Sequence, residues 1–312
     1  MQQDAVLAAI MRLGASAQGV FRGADAVAAG ATRKQLGRLV AAGVVERVLP
    51  DTFRIQAVPR SAAQALRAAL LWAGPNAAAA GRSAGEVYEL EGVRARWPEI
   101  TVPRAFGGRS DDVVIHRLGD PASMPRRHRG FRVTSPECTV TMLAHLLDAE
   151  ALETACEDAR RRKLTSVAAL ERYVDRYGAR GRRGVAPLRR LLRELDPVHP
   201  SRSVLEVKAR RILVAHGLTG FEREFPLGWN GRTYRFDFAF VRERVILETN
   251  GRRWHDDAAD YERDNEKWSV PGRHGFRLVL ATWEKVTRRP GGFVAELRAA
   301  LAARRSGSPS AP

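Results

Sequence analysis

Alternating apolar and polar positions mark a pair of strands in the last third of the chain. Phenylalanine recurs at every second position of the run 236–240, which predicts one buried face of a strand with Asp237 on the opposite face. The run 245–249 is almost wholly apolar until Glu248, as is typical of a strand covered on both faces. The pattern therefore predicts two neighbouring strands that carry acidic residues into a sheet.

The register of these strands brings the two acidic residues together. A hairpin that turns at residues 242 and 243 sets Asp237 directly opposite Glu248, and a loop of two or four residues gives the same pairing. Opposed residues share a face with Cβ atoms about 4.5–5.5 Å apart, and like charges at that distance destabilise the pair. Mg²⁺ or Mn²⁺ would relieve this repulsion, because both ions bind carboxylate oxygens. Asn250 lies on the Glu248 face, and His255 in the following loop is a candidate general base.

Each of these residues also has an ordinary structural interpretation. Asp237 could form a salt bridge with a nearby arginine, Glu248 could be a strand-end carboxylate, and His255 could be a solvated loop residue. The three residues, taken together in this order and register, favour a metal-dependent site over the separate explanations.

The run ETNGRRWH, which follows an aspartate-bearing strand, resembles the active-site segment of the very short patch repair endonucleases and the Vsr-like nuclease domains of the PD-(D/E)XK superfamily. The resemblance covers roughly the last third of the chain and includes strand order, acid spacing and the Gly-x-x-Trp-His tail. It implies that Asp237 and Glu248 bind the metal, with the main-chain carbonyl of Thr249 completing the site, and that His255 is the catalytic histidine. Glu206 matches a further acidic residue of the superfamily, although helix capping would also explain it.

One residue departs from this pattern. Asn250 stands where the superfamily usually has lysine, so either the histidine takes over proton transfer or the site is weakened. Lys267 stands where Vsr-like domains normally have arginine. The implied activity is metal-dependent hydrolysis of phosphodiester bonds. Residues expected to contact nucleic acid in this domain are Arg252, Arg253 and Lys267.

The remaining pattern of the last third predicts the element order αβββαβα, which is that of the restriction-endonuclease-like core. Ser203 opens the first helix, and a later helix covers about residues 258–269. Trp283 follows the last strand, where we expect it to pack. The nuclease domain is expected over residues 203–304, followed by a disordered tail at 305–312.

The first 58 residues predict three helices followed by a β-hairpin, which is the arrangement of a winged helix. Thr32 caps the third helix, and Pro50 and Asp51 form the turn between the two strands. The segment is similar to the N-terminal domain of AbiEi-type antitoxins and transcriptional regulators, which implies DNA as a partner and a cognate toxin or regulatory protein as another. A solvated helix face is the alternative for its basic residues. The residues expected to bind DNA are Arg33, Lys34 and Arg38.

Residues 59–197 predict a mixture of helices and short strands that resembles the region after the winged helix in the same regulators only weakly. The basic runs PRRHRG and GARGRRG are either phosphate contacts or solvated loops. Cys138 and Cys156 form no CxxC motif and have no histidine nearby at the spacing of a metal site. We therefore expect both to be reduced residues of the core, and we expect no zinc. The proline-rich run DPVHPSRS marks the expected boundary to the nuclease domain.

The charge of the chain indicates the chemical class of its partner. A formal net charge of +17 and a sequence pI near 11.1 favour a polyanion, and nucleic acid is the simplest one. A membrane surface is the rival, but no apolar run approaches the ~20 residues that a span requires. The N-terminal run lacks the pattern of a signal peptide, so we expect a cytoplasmic protein. We therefore expect a mixed α/β chain that is a DNA-binding endonuclease or, alternatively, a regulator or antitoxin with a catalytically silent nuclease-fold module.

Overall fold

The computed structural model describes residues 2–15, 17–118, 120–179, 182–195, 203–250 and 258–305. They form the mixed α/β fold that the sequence predicts, with several sheets and many helices. The chain divides into two compact units, Met1–Leu195 and Asp196–Pro312. Residues 1–58 and 59–197, which the sequence divides into two regions, thus fall almost wholly within the first unit.

The first unit begins with a small three-stranded antiparallel sheet in the order β1-β3-β2, packed against helices. Thr32 caps the third helix in a capping box with Gln35. Ile10, Phe21 and Leu36 are central members of its core. The elements are α1 (Gln2–Ala15), β1 (Val20–Arg22), α2 (Gly23–Ala28), α3 (Arg33–Ala41), β2 (Val45–Leu49) and β3 (Thr52–Ile55).

The rest of the first unit surrounds a five-stranded mixed sheet in the order β6-β5-β4-β8-β7. Cys138 and Cys156 are buried and unbonded to each other, as predicted, and burial raises the pKa of the Cys156 thiol to about 12. The elements are α4 (Ala62–Ala73), β4 (Ala78–Ala79), α5 (Gly81–Val87), β5 (Glu99–Val102), β6 (Val114–Arg117), α6 (Asp120–Ser123), β7 (Arg126–His128), β8 (Phe131–Val133), α7 (Pro136–Leu146), α8 (Ala149–Arg161), α9 (Val167–Tyr177) and α10 (Val185–Glu194).

The second unit contains a four-stranded sheet in the order β12-β11-β10-β9, in which β11 and β12 are parallel and the other neighbours antiparallel. The predicted order αβββαβα is present with one additional short helix, α13. The elements are α11 (Val204–Ala215), β9 (Glu222–Trp229), β10 (Arg232–Phe240), β11 (Val245–Asn250), α12 (Ala258–Arg273), β12 (Arg277–Thr282), α13 (Trp283–Arg288) and α14 (Pro290–Arg305).

Helices cover both faces of this sheet. One face packs with α11 and α14 through residues such as Leu205 and Leu297, and the other packs with α12 through Val270. α12 continues past the predicted end near residue 269, with Pro271 inside it. Trp283 is 49% exposed, so it lies outside the core. None of the helices in the described ranges is both long and apolar enough to cross a membrane.

Candidate metal centre

The hairpin β10–β11 has the predicted register. Phe238 pairs with Leu247 and Phe240 with Val245, and the same ladder continued by one residue sets Asp237 opposite Glu248. The amide of Asp237 donates a hydrogen bond of 3.1 Å to Glu248 Oε2. The two acidic residues therefore meet at the centre of the sheet, where both are buried.

The predicted alternation of faces along β10 is wrong at one point. Phe236 packs in the same cluster as Ala239, whereas Phe238 packs on the opposite face of the sheet. A regular strand would put Phe236 and Phe238 on one face, so the strand changes face between them. Glu224, on the neighbouring strand β9, adopts a left-handed backbone with φ of 49° at this level.

This irregularity separates the two carboxylates that the sequence places on one face. Glu248 follows Ile246 by two residues and lies on the α12 side, where Lys267 Nζ donates a hydrogen bond to its Oε1. Asp237 instead accepts from the other side, because the amide of Thr249 donates to its Oδ2 at 2.8 Å and the hydroxyl of Thr249 at 2.5 Å. The expectation of a shared face is therefore wrong.

A different set of acidic residues surrounds Asp237. Oxygens of Glu206, Glu224 and Asp237 all lie within 4.8 Å of one another. The three residues are 0%, 6% and 6% exposed, respectively. They come from α11, β9 and β10, and Glu248 stands outside the group. We call Glu206, Glu224 and Asp237 the acidic group.

Glu206 contributes its carboxylate to the acidic group and its amide to the helix cap. Ser203 Oγ accepts a 3.2 Å hydrogen bond from the Glu206 amide. Arg223 donates to Glu206 Oε1 at 2.9 Å, and both side chains of this ion pair are almost wholly buried. Glu206 therefore takes part in the helix cap through its amide and also lies close to Asp237 through its carboxylate.

The pKa of Glu248 is shifted from its ordinary value. Burial is the largest cause, and the negative charge of Asp237 adds to it, so the pKa of the Glu248 carboxyl rises to about 7. Lys267 opposes both effects through its charge and hydrogen bond. Near neutral pH the Glu248 carboxyl therefore divides between its ionised and neutral forms.

The other predicted site residues have different positions. Asn250 is half-buried at the end of β11. Lys267 is directed to Glu248 and its side chain is only 20% exposed, so it is held inside the site rather than extended on the surface. Arg252, Arg253 and His255 lie outside the described residues.

The predicted DNA-binding residues are all exposed on α3, but they differ in their contacts. Arg33 Nη1 donates a 2.5 Å hydrogen bond to Asp51 Oδ1 in the turn between β2 and β3. Lys34 and Arg38 form no ion pair with the residues that the structure describes. These two side chains therefore present the freer positive charge of the helix.

Sequence reasoning missed Glu224 and Arg223. Both belong to the run EREF at the start of β9, where three consecutive charged residues open a strand. That run was the available signal, because charged residues in a covered sheet require partners. Glu206 on α11, which both residues approach, lies too far away along the chain for a rule based on sequence spacing to find.

Comparisons with known proteins give distant relatives. The chain is similar to "Uncharacterized protein MT2308" of Mycobacterium tuberculosis strain CDC 1551 / Oshkosh and to "Uncharacterized protein Rv2248" of strain H37Rv. Each is 33% identical over 119 residues, which cover 38% of this chain and 43% of the relative. The chain thus spans less than half the length of these curated relatives. No protein-family model matches the chain.

Proposed function

We propose that the protein binds DNA and that its second unit is a Mg²⁺- or Mn²⁺-dependent endonuclease that hydrolyses phosphodiester bonds. The observation that carries this proposal is the acidic group, in which three buried carboxylates lie within 4.8 Å of one another. Buried like charges at such distances repel each other, and a bound cation would relieve this repulsion. Glu248 and Lys267 lie beside the group through their contacts with Asp237 and with each other.

The residues present fit a hard divalent cation. The donors are all carboxylate oxygens, which Mg²⁺ and Mn²⁺ prefer over the nitrogen and sulfur ligands of softer metals. Glu206, Glu224 and Asp237 would hold the ion, and Arg223 already occupies one oxygen of Glu206. A bound ion would supply Lewis-acid polarisation of the scissile phosphate and a lowered pKa for a bound water.

The protein's own groups would do the remaining work. Thr249 fixes the Asp237 carboxylate with two hydrogen bonds, which orients its free oxygen. Lys267 places an ammonium beside Glu248, where it would stabilise negative charge on the phosphate. His255 is the proposed base that takes a proton from the attacking water.

The first unit is the proposed DNA-targeting part. The order helix, strand, two helices and hairpin in residues 2–55 supports a winged helix, with Lys34 and Arg38 as phosphate contacts. The formal charge of +17 supports a nucleic-acid partner. A cytoplasmic location and a cognate toxin or regulatory protein as a second partner belong to the same proposal.

Cleavage of plasmid DNA by the full chain tests the proposal. We expect nicking or degradation with Mg²⁺ or Mn²⁺ and none with EDTA. Asp237→Ala, Glu206→Gln and Glu224→Gln should each abolish cleavage, because each removes a carboxylate that would bind the metal. Glu222→Gln is the matched control, since Glu222 lies on the same strand as Glu224 but is exposed. Cutting that persists in EDTA and in the Asp237 variant would remove this site from consideration.

A second function has two observations in its favour. The Glu248 carboxylate is neutralised by Lys267, and Asn250 stands where the superfamily has its lysine. Both features suit a regulator or antitoxin whose nuclease fold is a catalytically silent module. Purified protein that binds duplex DNA with the same affinity in Mg²⁺ and EDTA, and leaves it uncut in both, would support this alternative.

A further inference from the structure

A hairpin at the edge of the five-stranded sheet places two arginines opposite each other. β7 is the last strand in the sheet order and pairs antiparallel with β8. Arg129 and Gly130 form the turn, with φ of 48° and 76°, which is the left-handed pair that a tight two-residue hairpin requires. In this register Arg127 is directly opposite Arg132. Their side chains therefore leave the same face of the hairpin.

Two positive charges in this position repel each other. Directly opposed residues have Cβ atoms about 4.5–5.5 Å apart, and like charges there destabilise the strand pair. A third arginine adds to the charge. Arg67, on α4, donates to the carbonyl of Gly130 at 3.0 Å and stacks on the Phe131 ring with 4.2 Å from its guanidinium carbon to the ring centroid. Burial lowers the pKa of the Arg67 guanidinium, and the positive charge of Arg127 lowers it further.

Carboxylates near this hairpin serve other arginines. Arg126 lies 4.0 Å from Glu137, and Arg129 is paired with Glu89. Within the described ranges no carboxylate forms an ion pair with Arg67, Arg127 or Arg132. The Nε atoms of Arg67 and Arg132 are buried and have no hydrogen-bond partner among those residues. A buried N–H donor without an acceptor costs free energy, so these groups point to an acceptor that binds them.

We propose that Arg127 and Arg132, on one face of the hairpin, form a binding site for a phosphate group, with Arg67 adding positive charge nearby. A phosphate offers several charged acceptor oxygens, and guanidinium groups bind such oxygens through paired N–H donors. The group belongs either to a free phosphorylated compound or to a nucleic-acid backbone, since both present the same oxyanion. The site lies in the first unit and does not depend on the proposed nuclease activity.

Thermal unfolding of the full chain tests the site, with sodium phosphate compared against sodium chloride at equal ionic strength. Phosphate should raise the unfolding temperature of the wild type and of Arg126→Ala, the matched control on the same strand. Arg127→Ala and Arg132→Gln should each weaken phosphate binding about tenfold, because each removes a charge-assisted contact. Without phosphate and at low salt, Arg127→Ala should be at least as stable as the wild type, since it removes the cross-strand repulsion.

Duplex DNA binding in EDTA separates the two sources of the phosphate. If the backbone of DNA occupies the site, Arg127→Ala should flatten the plot of log affinity against log salt by about 0.9, and Arg126→Ala should not. If a free phosphate compound occupies it, the phosphate response is lost in Arg127→Ala while the DNA slope is unchanged. Equal phosphate responses and equal DNA slopes in the wild type and all three variants would overturn the proposal.

Discussion

Replacing Glu248 with glutamine removes a carboxyl whose pKa is raised and leaves a neutral side chain of the same shape. The pKa of Glu248 is raised from an ordinary 4.5 to about 7 by burial and by the Asp237 charge. Between pH 4.5 and about 7 the folded state therefore holds a proton that the unfolded state has released. Stability contributed by this group is fully present below pH 4.5 and is lost as the pH rises through 7.

The size of the effect follows from the same two values. Each pH unit between the folded and unfolded pKa is worth about 1.36 kcal/mol, so the difference from 4.5 to about 7 corresponds to about 3 kcal/mol. The Glu248 side chain is only 9% exposed, so solvent screens little of this. Glu248→Gln should therefore match the wild type near pH 4.5 and exceed its stability by up to about 3 kcal/mol at pH 8.

Two measurements check this. Carbon-13 NMR of glutamate-labelled protein should show one carboxyl titrating near pH 7 that is missing from Glu248→Gln. Urea unfolding at pH 4.5, 6 and 8 should show the stability gap between variant and wild type widening with pH, with Glu243→Gln, in the loop between β10 and β11, as the control. A Glu248 carboxyl that titrates near pH 4.5 would refute the reasoning, as would a gap that does not change with pH.

Three further sets of substitutions test the basic face of α3, the hydrogen bonds to Asp237 and the proposed base. Lys34→Ala combined with Arg38→Ala should flatten the salt dependence of DNA affinity by about 1.8, at about 0.9 per phosphate contact, whereas Arg33→Ala should change it less because its guanidinium is tied to a carboxylate. Thr249→Val should destabilise the fold by about 1–3 kcal/mol in urea unfolding, with Thr249→Ser close to wild type, because only valine loses the hydroxyl that donates to Asp237. His255→Ala should lower the cleavage rate by about 10² to 10⁴ with DNA affinity nearly unchanged, and a fall below about threefold would place the general base elsewhere.

The sequence predicts the second unit well where local rules decide the structure. A short turn and two apolar runs determine the β10–β11 register, so the position of Asp237 opposite Glu248 is predictable. The faces of the two carboxylates were not predictable, because the change of face in β10 lies beside the left-handed backbone of Glu224, a residue type that rarely adopts it.

The rest of the site depends on packing between distant segments. Glu206 meets Asp237 because α11 packs against the sheet, and Lys267 meets Glu248 because α12 covers its other face. Neither contact follows from spacing, although each residue stood out by type. In the first unit, the run PRRHRG was visible as basic, but only the strand register brings Arg127 opposite Arg132.

The order of strands in the sheet of the second unit is relevant to the lifetime of the folded state. β9, β10 and β11 follow one another in the chain and pair as neighbours, so their contacts are local and form early. β12 lies parallel to β11 and is joined to it through the crossover helix α12, because parallel neighbours cannot be joined by a tight turn, so we expect its contacts to form later. The pair between Lys267 and Glu248 spans 19 residues and joins that helix to the earlier strands. Contacts that form late in folding chiefly slow unfolding, so we expect this pair to affect the lifetime of the folded sheet more than the rate of its formation.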